Sequence, residues 1–277
     1  MTIALSLFAI GTLSLPWQIP EHKQVVDRQE QFVAGECLDG VEVVAASAHN
    51  VLESEFSVLS WNVYKQQRNN VIAELNQYAT TTDLLLLQEV VSQSTLFSTL
   101  PVDQWHWVQA RAFTVSQSVI GVASLSRYEA IGTCGFWRTE PWILFPKTAL
   151  LTIYALPEGE SLWVINIHAI NFALGLEDYN AQLNDIVRVA STHHGPMIWA
   201  GDFNTWREGR QQALDEALSQ LNLQPIAFRP DVRSEIFGYA LDHVFYRKLN
   251  IVEAKSTASD ASDHNPIWVN FTSQKNP

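Results

Sequence analysis

The run Leu84-Leu85-Leu86-Leu87 is apolar at four successive positions and then stops on Gln88-Glu89. A strand with one wet face alternates apolar and polar residues, so an unbroken apolar run belongs to a strand covered on both sides. The habit recurs along the chain. Strands are expected at Phe56–Tyr64, Asp83–Val90, Trp105–Gln109, Val119–Leu125, Ala149–Leu156, Leu162–His168, Pro196–Ala200, Leu241–Tyr246 and Pro266–Phe271. Helical spacing falls between them, at about Asn69–Ala79, Asp178–Thr192 and Arg207–Leu221. In the second of these, Tyr179, Leu183, Ile186, Val187 and Ala190 form one apolar stripe. Two sheets packed together with helices outside satisfy both patterns, which predicts an α/β (α+β) fold in one domain over residues 55–272. A hydrophobic content of 47% is ample for such a core.

The flanks read differently. Residues 3–15 are mostly apolar but stop at Pro16, short of the roughly 20 residues that span a bilayer. No Lys or Arg precedes them and no small-x-small cleavage pattern follows. A signal or membrane anchor and a segment packed on the domain, or a misassigned start, both stay open. Residues 18–53 are polar and acidic and are expected to be a linker or loosely docked arm, with 273–277 a tail. Two cysteines, Cys37 and Cys134, make no disulfide framework and have no partners at metal-finger spacing, so structural zinc is not expected. A net charge of −12, from 17 Lys+Arg against 29 Asp+Glu, excludes a generic basic coat for nucleic acid.

The informative positions are the ends of the apolar strands: Asn62, Glu89, His168, Asp202 with Asn204, and Asp242, with Asp263 and His264 opening the last strand. An ionised carboxylate costs several kcal/mol to bury without compensation, so acids at the mouths of apolar strands imply a shared cation. Residues i and i+2 share a face of extended chain, which lets Asp202 and Asn204 point into one cleft and selects Asp242 over His243. Oxygen donors without Cys suit a hard ion, Mg²⁺ or Mn²⁺, and magnesium commonly works with substrate phosphates. Singly, each residue has a plainer reading. Asn62 could be a turn residue, Glu89 a helix cap, Asp242 a satisfied buried acid and His168 a core histidine. His193 and His194 read as partners of a helix C-terminus, and His106 as strand surface.

The ordered set Ser60-Trp-Asn-Val, Leu87-Gln-Glu, Asn166-Ile-His, Gly201-Asp-Phe-Asn, Leu241-Asp-His-Val-Phe-Tyr and Ser262-Asp-His-Asn-Pro resembles the endonuclease/exonuclease/phosphatase superfamily over Ser57 to Phe271. Trp61-Asn-Val-Tyr-Lys-Gln-Gln and the decapeptide from Asn166 also look like a small bacterial subgroup of it, which supplies no substrate. The resemblance implies a four-layer, deoxyribonuclease I-like sandwich and metal-assisted hydrolysis of a phosphoester by in-line attack of water. On that resemblance Glu89, with Asn62 and Asp263, would hold the metal. Asp202 would orient or deprotonate the water and Asn204 would fix Asp202. His264, held by Asp242, would stabilise the transition state, and His168 and Asn171 would contact the phosphate from the opposite wall.

Lys65, Arg68, Arg127 and Arg207 follow strands or sit in connections and are expected to meet substrate phosphate. Nuclease is the favoured subclass; a phosphomonoesterase, a phospholipid phosphodiesterase and a non-catalytic binding protein are the alternatives. The chain is expected to act as a monomer. The subgroup resemblance favours the cytoplasm, and the alternative is export or an inner-membrane tether through residues 3–15.

Overall fold

A computed structural model describes residues 17–274, apart from 21, 46, 48, 49, 93–98, 102, 103, 116, 117 and 174. The apolar run 3–15, and with it the choice between anchor and packed segment, lies outside the described residues, as does 275–277. The first half contributes β1 (Trp17–Gln18), β2 (Val25–Asp27), β3 (Phe32–Ala34), β4 (Glu55–Asn62), β5 (Leu84–Val91), β6 (His106–Val115) and β7 (Ser118–Ser126), with helix α1 (Val71–Ala79) between β4 and β5. Next come β8 (Gly132–Thr139), β9 (Pro146–Ala155), β10 (Ser161–His168), α2 (Glu177–Ala190), β11 (Met197–Asp202), α3 (Glu208–Leu221) and β12 (Gln224–Pro225). A short hairpin, β13 (Glu235–Ile236) and β14 (Tyr239–Ala240), leads into β15 (Asp242–Arg247), β16 (Leu249–Ser256) and β17 (Ile267–Ser273).

Among the described residues, one nine-stranded sheet runs β16-β17-β4-β5-β7-β6-β2-β3 with β1 on β6, and a six-stranded sheet runs β12-β15-β11-β10-β9-β8. Each has one parallel pair, β4 with β5 and β10 with β11, and each pair is joined by a crossover through a helix, α1 or α2. A crossover returns the chain to the same edge, so both strands of a parallel pair end on the same side, where α/β folds place ligands. Asn62, Glu89, His168 and Asp202 stand at or within two residues of those four strand ends.

Strand parity sorts the core into three layers. Phe56, Val58, Leu84, Leu86, Val164, Ile198, Ala200 and Val244 pack between the sheets. Leu59, Trp61, Leu85 and Leu87 face α1, and Ile165, Ile167, Met197 and Trp199 face α2 and α3. The result is the expected four-layer mixed α/β sandwich, helix on sheet on sheet on helix.

One expectation is corrected and two features are added. Residues 18–53 are more than a loose arm: β2 pairs with β6, Val25 and Val26 are buried, and Glu36 and Val43 bridge to Gly135 and Gly132 of β8. The arm therefore crosses the open edge of both sheets. Cys37 and Cys134, buried with Cα atoms 4.9 Å apart, form one disulfide across that edge, which their spacing of 97 residues could not signal. Strands β8 and β16 were not expected. The first carries Gly132 and Gly135 where other strands carry bulky residues, because a Cβ at 135 would lie 2.3 Å from the Trp137 ring. The second is a largely exposed edge strand with Glu253 and Lys255, so it lacks the buried pattern.

Candidate active site

Inner-face parity carries the chain outward to the site. Asn166 and His168 share a face of β10, Ala200 and Asp202 one of β11, and Val244 and Asp242 one of β15. One residue reaches the cleft against the regular pattern, and another reaches it only because a glycine precedes it. On strict alternation Glu89 would join Leu85 and Leu87 beneath α1, but a bulge between Leu87 and Val90 gives Glu89 a φ of 56° and turns it into the cleft. Asp202 follows Gly201, whose φ is 138° and where a Cβ would sit 2.0 Å from the Ile167 carbonyl. Only glycine fits there. Asn204 (φ 50°) and the Tyr64-Lys65-Gln66 turn (φ 48°, 54°, 54°) add further left-handed backbone around the same cleft, where such strain tends to collect.

Asp202 is the centre of the arrangement. Its carboxylate accepts from Asn62 Nδ2 at 3.0 Å and from the Asn204 backbone N–H at 3.0 Å. His264 Nε2 lies 3.8 Å away and His168 Nε2 3.5 Å away. Across the cleft Asp242 accepts from His264 Nδ1 at 2.7 Å, while His243 turns out towards Arg233 and Phe245. The indole of Trp61 donates to the His264 carbonyl at 2.8 Å, and Ser262 Oγ donates to the Asn62 carbonyl at 2.6 Å. Those two bonds tie the Asp263-His264 loop to the end of β4. Arg68 completes the tie by donating to the carbonyls of Asp260 and Ser262.

Burial pushes the Asp202 carboxyl up to about 6, against the pull of His264. Burial alone would lower the His264 imidazolium, but Asp242 and Asp202 outweigh it and raise it to about 10. A base with a raised pKa thus faces an imidazolium. His168 goes the other way: burial, then the neighbouring Lys147 ammonium, hold it well below the usual histidine range. Lys147 Nζ lies 2.7 Å from His168 Nε2, so a neutral ring accepts the lysine proton there and is Nδ1-protonated. The short distances from His168 to Asp202 and Glu89 are then not ion pairs. Lys147, half-buried and facing Glu140, Glu89 and Asp202, and Lys65, bonded to Glu89, carry the balancing charge.

Asp202, Asp242 and His264 each put a ligand atom within 4.8 Å of one another. We do not read them as a metal triad, because His264 Nδ1 already shares its proton with Asp242 and an imidazolium has no free lone pair to donate. Glu89, Asn62 and the exposed Asp263 offer the harder, oxygen-only donors that suit a magnesium-like ion, although Asn62 Oδ1 also accepts from the Tyr64 N–H and one Glu89 oxygen is on Lys65. A buried Asp242 Oδ1 without a hydrogen-bond partner is a second observation that favours positive charge in the cleft.

The cleft therefore brings together Asn62, Glu89, His168, Asp202, Asn204, Asp242 and His264, with Asp263 on its rim. Asn171 is placed beside it: its Oδ1 accepts from Trp206 Nε1 at 2.9 Å and its N–H is held by Glu140. Arg207 lies on the rim over Trp206 and donates to the Gly175 carbonyl at 2.7 Å. Arg127 is a correction. It donates to the carbonyls of Ala79 and Thr82 and stacks on Trp105, at the opposite end of β5 from Glu89.

Sequence reasoning missed Lys147, because it starts a strand instead of ending one. It also missed the buried Arg210, whose guanidinium spans the carbonyls of Ile170, Asn171 and Asn204 and lies over Tyr179. The Gln88–Asn166 bond of 2.7 Å, which joins the two sheets behind the site, was visible only as part of the motifs.

Comparison with known proteins follows the same outline. The family model of the endonuclease/exonuclease/phosphatase family matches residues 59–264. A UPF0294 protein of Vibrio parahaemolyticus is 39% identical over 271 residues, covering 97% of this chain and 95% of the relative. An endonuclease/exonuclease/phosphatase family protein from Leptotrichia buccalis has a similar fold, with a TM-score of 0.64, 18% identity and coverage of 78% and 99% of the two chains. The mannosyl-6-phosphatase Bt3783 of Bacteroides thetaiotaomicron gives a TM-score of 0.59 at 17% identity, with the same coverage.

Proposed function

Because the chain belongs to the endonuclease/exonuclease/phosphatase family and is a phosphoester hydrolase of that kind, we propose that it is a divalent-metal-dependent phosphodiesterase. The observation that carries this reading is Asp202, raised to about 6 and gripped by Asn62 and Asn204, opposite an imidazolium held by Asp242. Glu89, Asn62 and Asp263 would hold Mg²⁺ or Mn²⁺, which when bound supplies Lewis-acid polarisation of a phosphate oxygen. Asp202 takes the proton of the attacking water as its oxygen bonds to phosphorus and the opposite ester bond breaks. His264 offers Nε2–H to the phosphoryl oxygens as charge builds there, and Asp242 keeps the ring charged and oriented. Lys147 presents its positive charge to the same wall through His168.

The cations expected to meet substrate phosphate have partners in the protein itself. Lys65 is on Glu89, Arg68 on two carbonyls, and Arg127 is remote from the cleft. With a net charge of −12 this supports a compact or lipid diester over a polynucleotide. A second reading, a phosphomonoesterase, is favoured by the half-buried Lys147 beside His168, since a dianionic phosphate gains most from it.

The test is turnover by the purified full chain of bis(p-nitrophenyl) phosphate, p-nitrophenyl phosphate, DNA, RNA and phospholipids with added Mg²⁺ or Mn²⁺. Diester turnover supports the proposal, turnover of monoester alone moves the assignment to the second reading, and turnover of none removes both. The Cys37–Cys134 bond supports the exported localisation over the cytoplasm, because disulfides persist in oxidising compartments. Alkylation of intact cells before lysis checks this, and a free thiol at Cys37 would return the chain to the cytoplasm.

A further inference from the structure

Two hairpin tips project past the strand ends on opposite rims of the cleft, and both break the rules of turn chemistry in the same way. Between β8 and β9, Leu144 N–H bonds to the Glu140 carbonyl and Glu140 N–H to the Phe145 carbonyl, each at 2.9 Å, and Leu144 has a φ of 59°. Between β13 and β14 the two-residue turn is Phe237-Gly238, with φ of 54° and 80°. Turns of these kinds normally put Gly, Asn or Asp in left-handed positions. Here Leu144 and, ahead of Gly238, Phe237 occupy such positions and stay in water: Leu144 is 57% exposed and Phe237 84%. Trp142 beside the first is 59% exposed, and Phe172, held against that turn by Glu140, is 50% exposed. Scattered surface hydrophobes need no explanation, but large ones gathered on two strained tips around one mouth do.

We infer that these two tips are a bilayer-docking surface, which sets the mouth of the cleft against lipid headgroups. Three observations choose lipid as the occupant. The apolar rims enclose a polar, phosphoester-type cleft, the order in which a bilayer presents acyl chain and phosphate. The apolar residues 3–15 join the described chain at Trp17, whose ring meets Phe145 of the first turn edge-on at 5.0 Å. A negative net charge opposes a polyanion at the same mouth but not a neutral lipid surface. The exposed tips and the Trp17 contact stand without the hydrolase reading; the match of cleft to phosphate, and the corollary that bilayer phosphoesters are substrates, rest on it.

The two native cysteines are bonded to each other and buried, so one introduced cysteine can be labelled in the full chain. Leu144→Cys, Phe237→Cys and, at the far end of α3, Gln220→Cys would each carry an environment-sensitive fluorophore and be mixed with phosphatidylcholine vesicles, with chelator and with Mg²⁺. The expected result is cosedimentation with a blue shift at 144 and 237 and none at 220. Trp142→Ser combined with Phe237→Ser should lower the vesicle partition coefficient at least about tenfold. The inference is overturned if the chain does not sediment, if it sediments with no shift at 144 and 237, or if those labels are already blue-shifted without vesicles because the chain or a second copy covers them. Binding is read without hydrolysis, so an inactive chain that docks sinks only the hydrolase reading, and an active one that ignores vesicles sinks only this one.

Discussion

Glu89 is the residue whose loss separates chemistry from architecture most cleanly, since it is partly exposed and its carboxylate faces Lys65 and His168 instead of the core. Glu89→Gln is expected to lower kcat by about 10²–10³-fold with the fold retained, and His264→Ala to do the same, read by steady-state rates and circular dichroism. Near-wild-type rates in both would remove the site. The His264 ring carries a pH signature as well. Its folded pKa of about 10 lies above the ordinary 6.5, so its contribution to stability is fully present below about pH 6.5 and is lost as pH rises towards 10. In the metal-free protein the ring carbon shifts should report an imidazolium at neutral pH. A midpoint near 6.5 would mean that Asp242 does not hold the charge.

At the scale of the element, the site depends on strand ends that depart from regular geometry. Gly201→Ala puts a methyl against the Ile167 carbonyl at a φ that alanine resists, and should cost about 2 kcal/mol or more in urea unfolding. It should also reduce turnover beyond that loss, because Asp202 is the next residue and small displacements of a reacting group are expensive. The arm is the other element with a measurable share. Cys134→Ser opens a link across 97 residues and is expected to cost about 3–4 kcal/mol of stability, with the arm strands losing hydrogen-exchange protection first. An unchanged unfolding midpoint would show that β2, β3 and their bridges hold the arm unaided.

For the whole molecule, the two sheets present opposite walls of one cleft, and neither wall is sufficient. Asn62, Glu89, Asp263 and His264 come from the nine-stranded sheet and its loops, and His168, Asp202 and Asp242 from the six-stranded one. Hydrolysis should therefore vanish on chelation and return with Mg²⁺ or Mn²⁺, while the unfolding transition hardly moves, because Gln88–Asn166 and the apolar layer join the sheets independently of any ion. Chelator-resistant turnover would contradict the metal assignment.

Much of this was legible along the chain. The unbroken apolar run at Leu84–Leu87 announces a strand covered on both faces, and the acid or amide at the end of each such run announces a charged mouth, because burial and charge are properties that a local stretch already possesses. The i, i+2 rule was enough to choose Asp242 over His243. What no local stretch possesses is its neighbour. The turn of Glu89 into the cleft depends on a bulge against β7, the charge state of His168 on its burial and then on Lys147 across a strand pair, and the course of the arm on a partner 97 residues away. Those are consequences of two sheets closing on each other, and they exist only once the chain has folded.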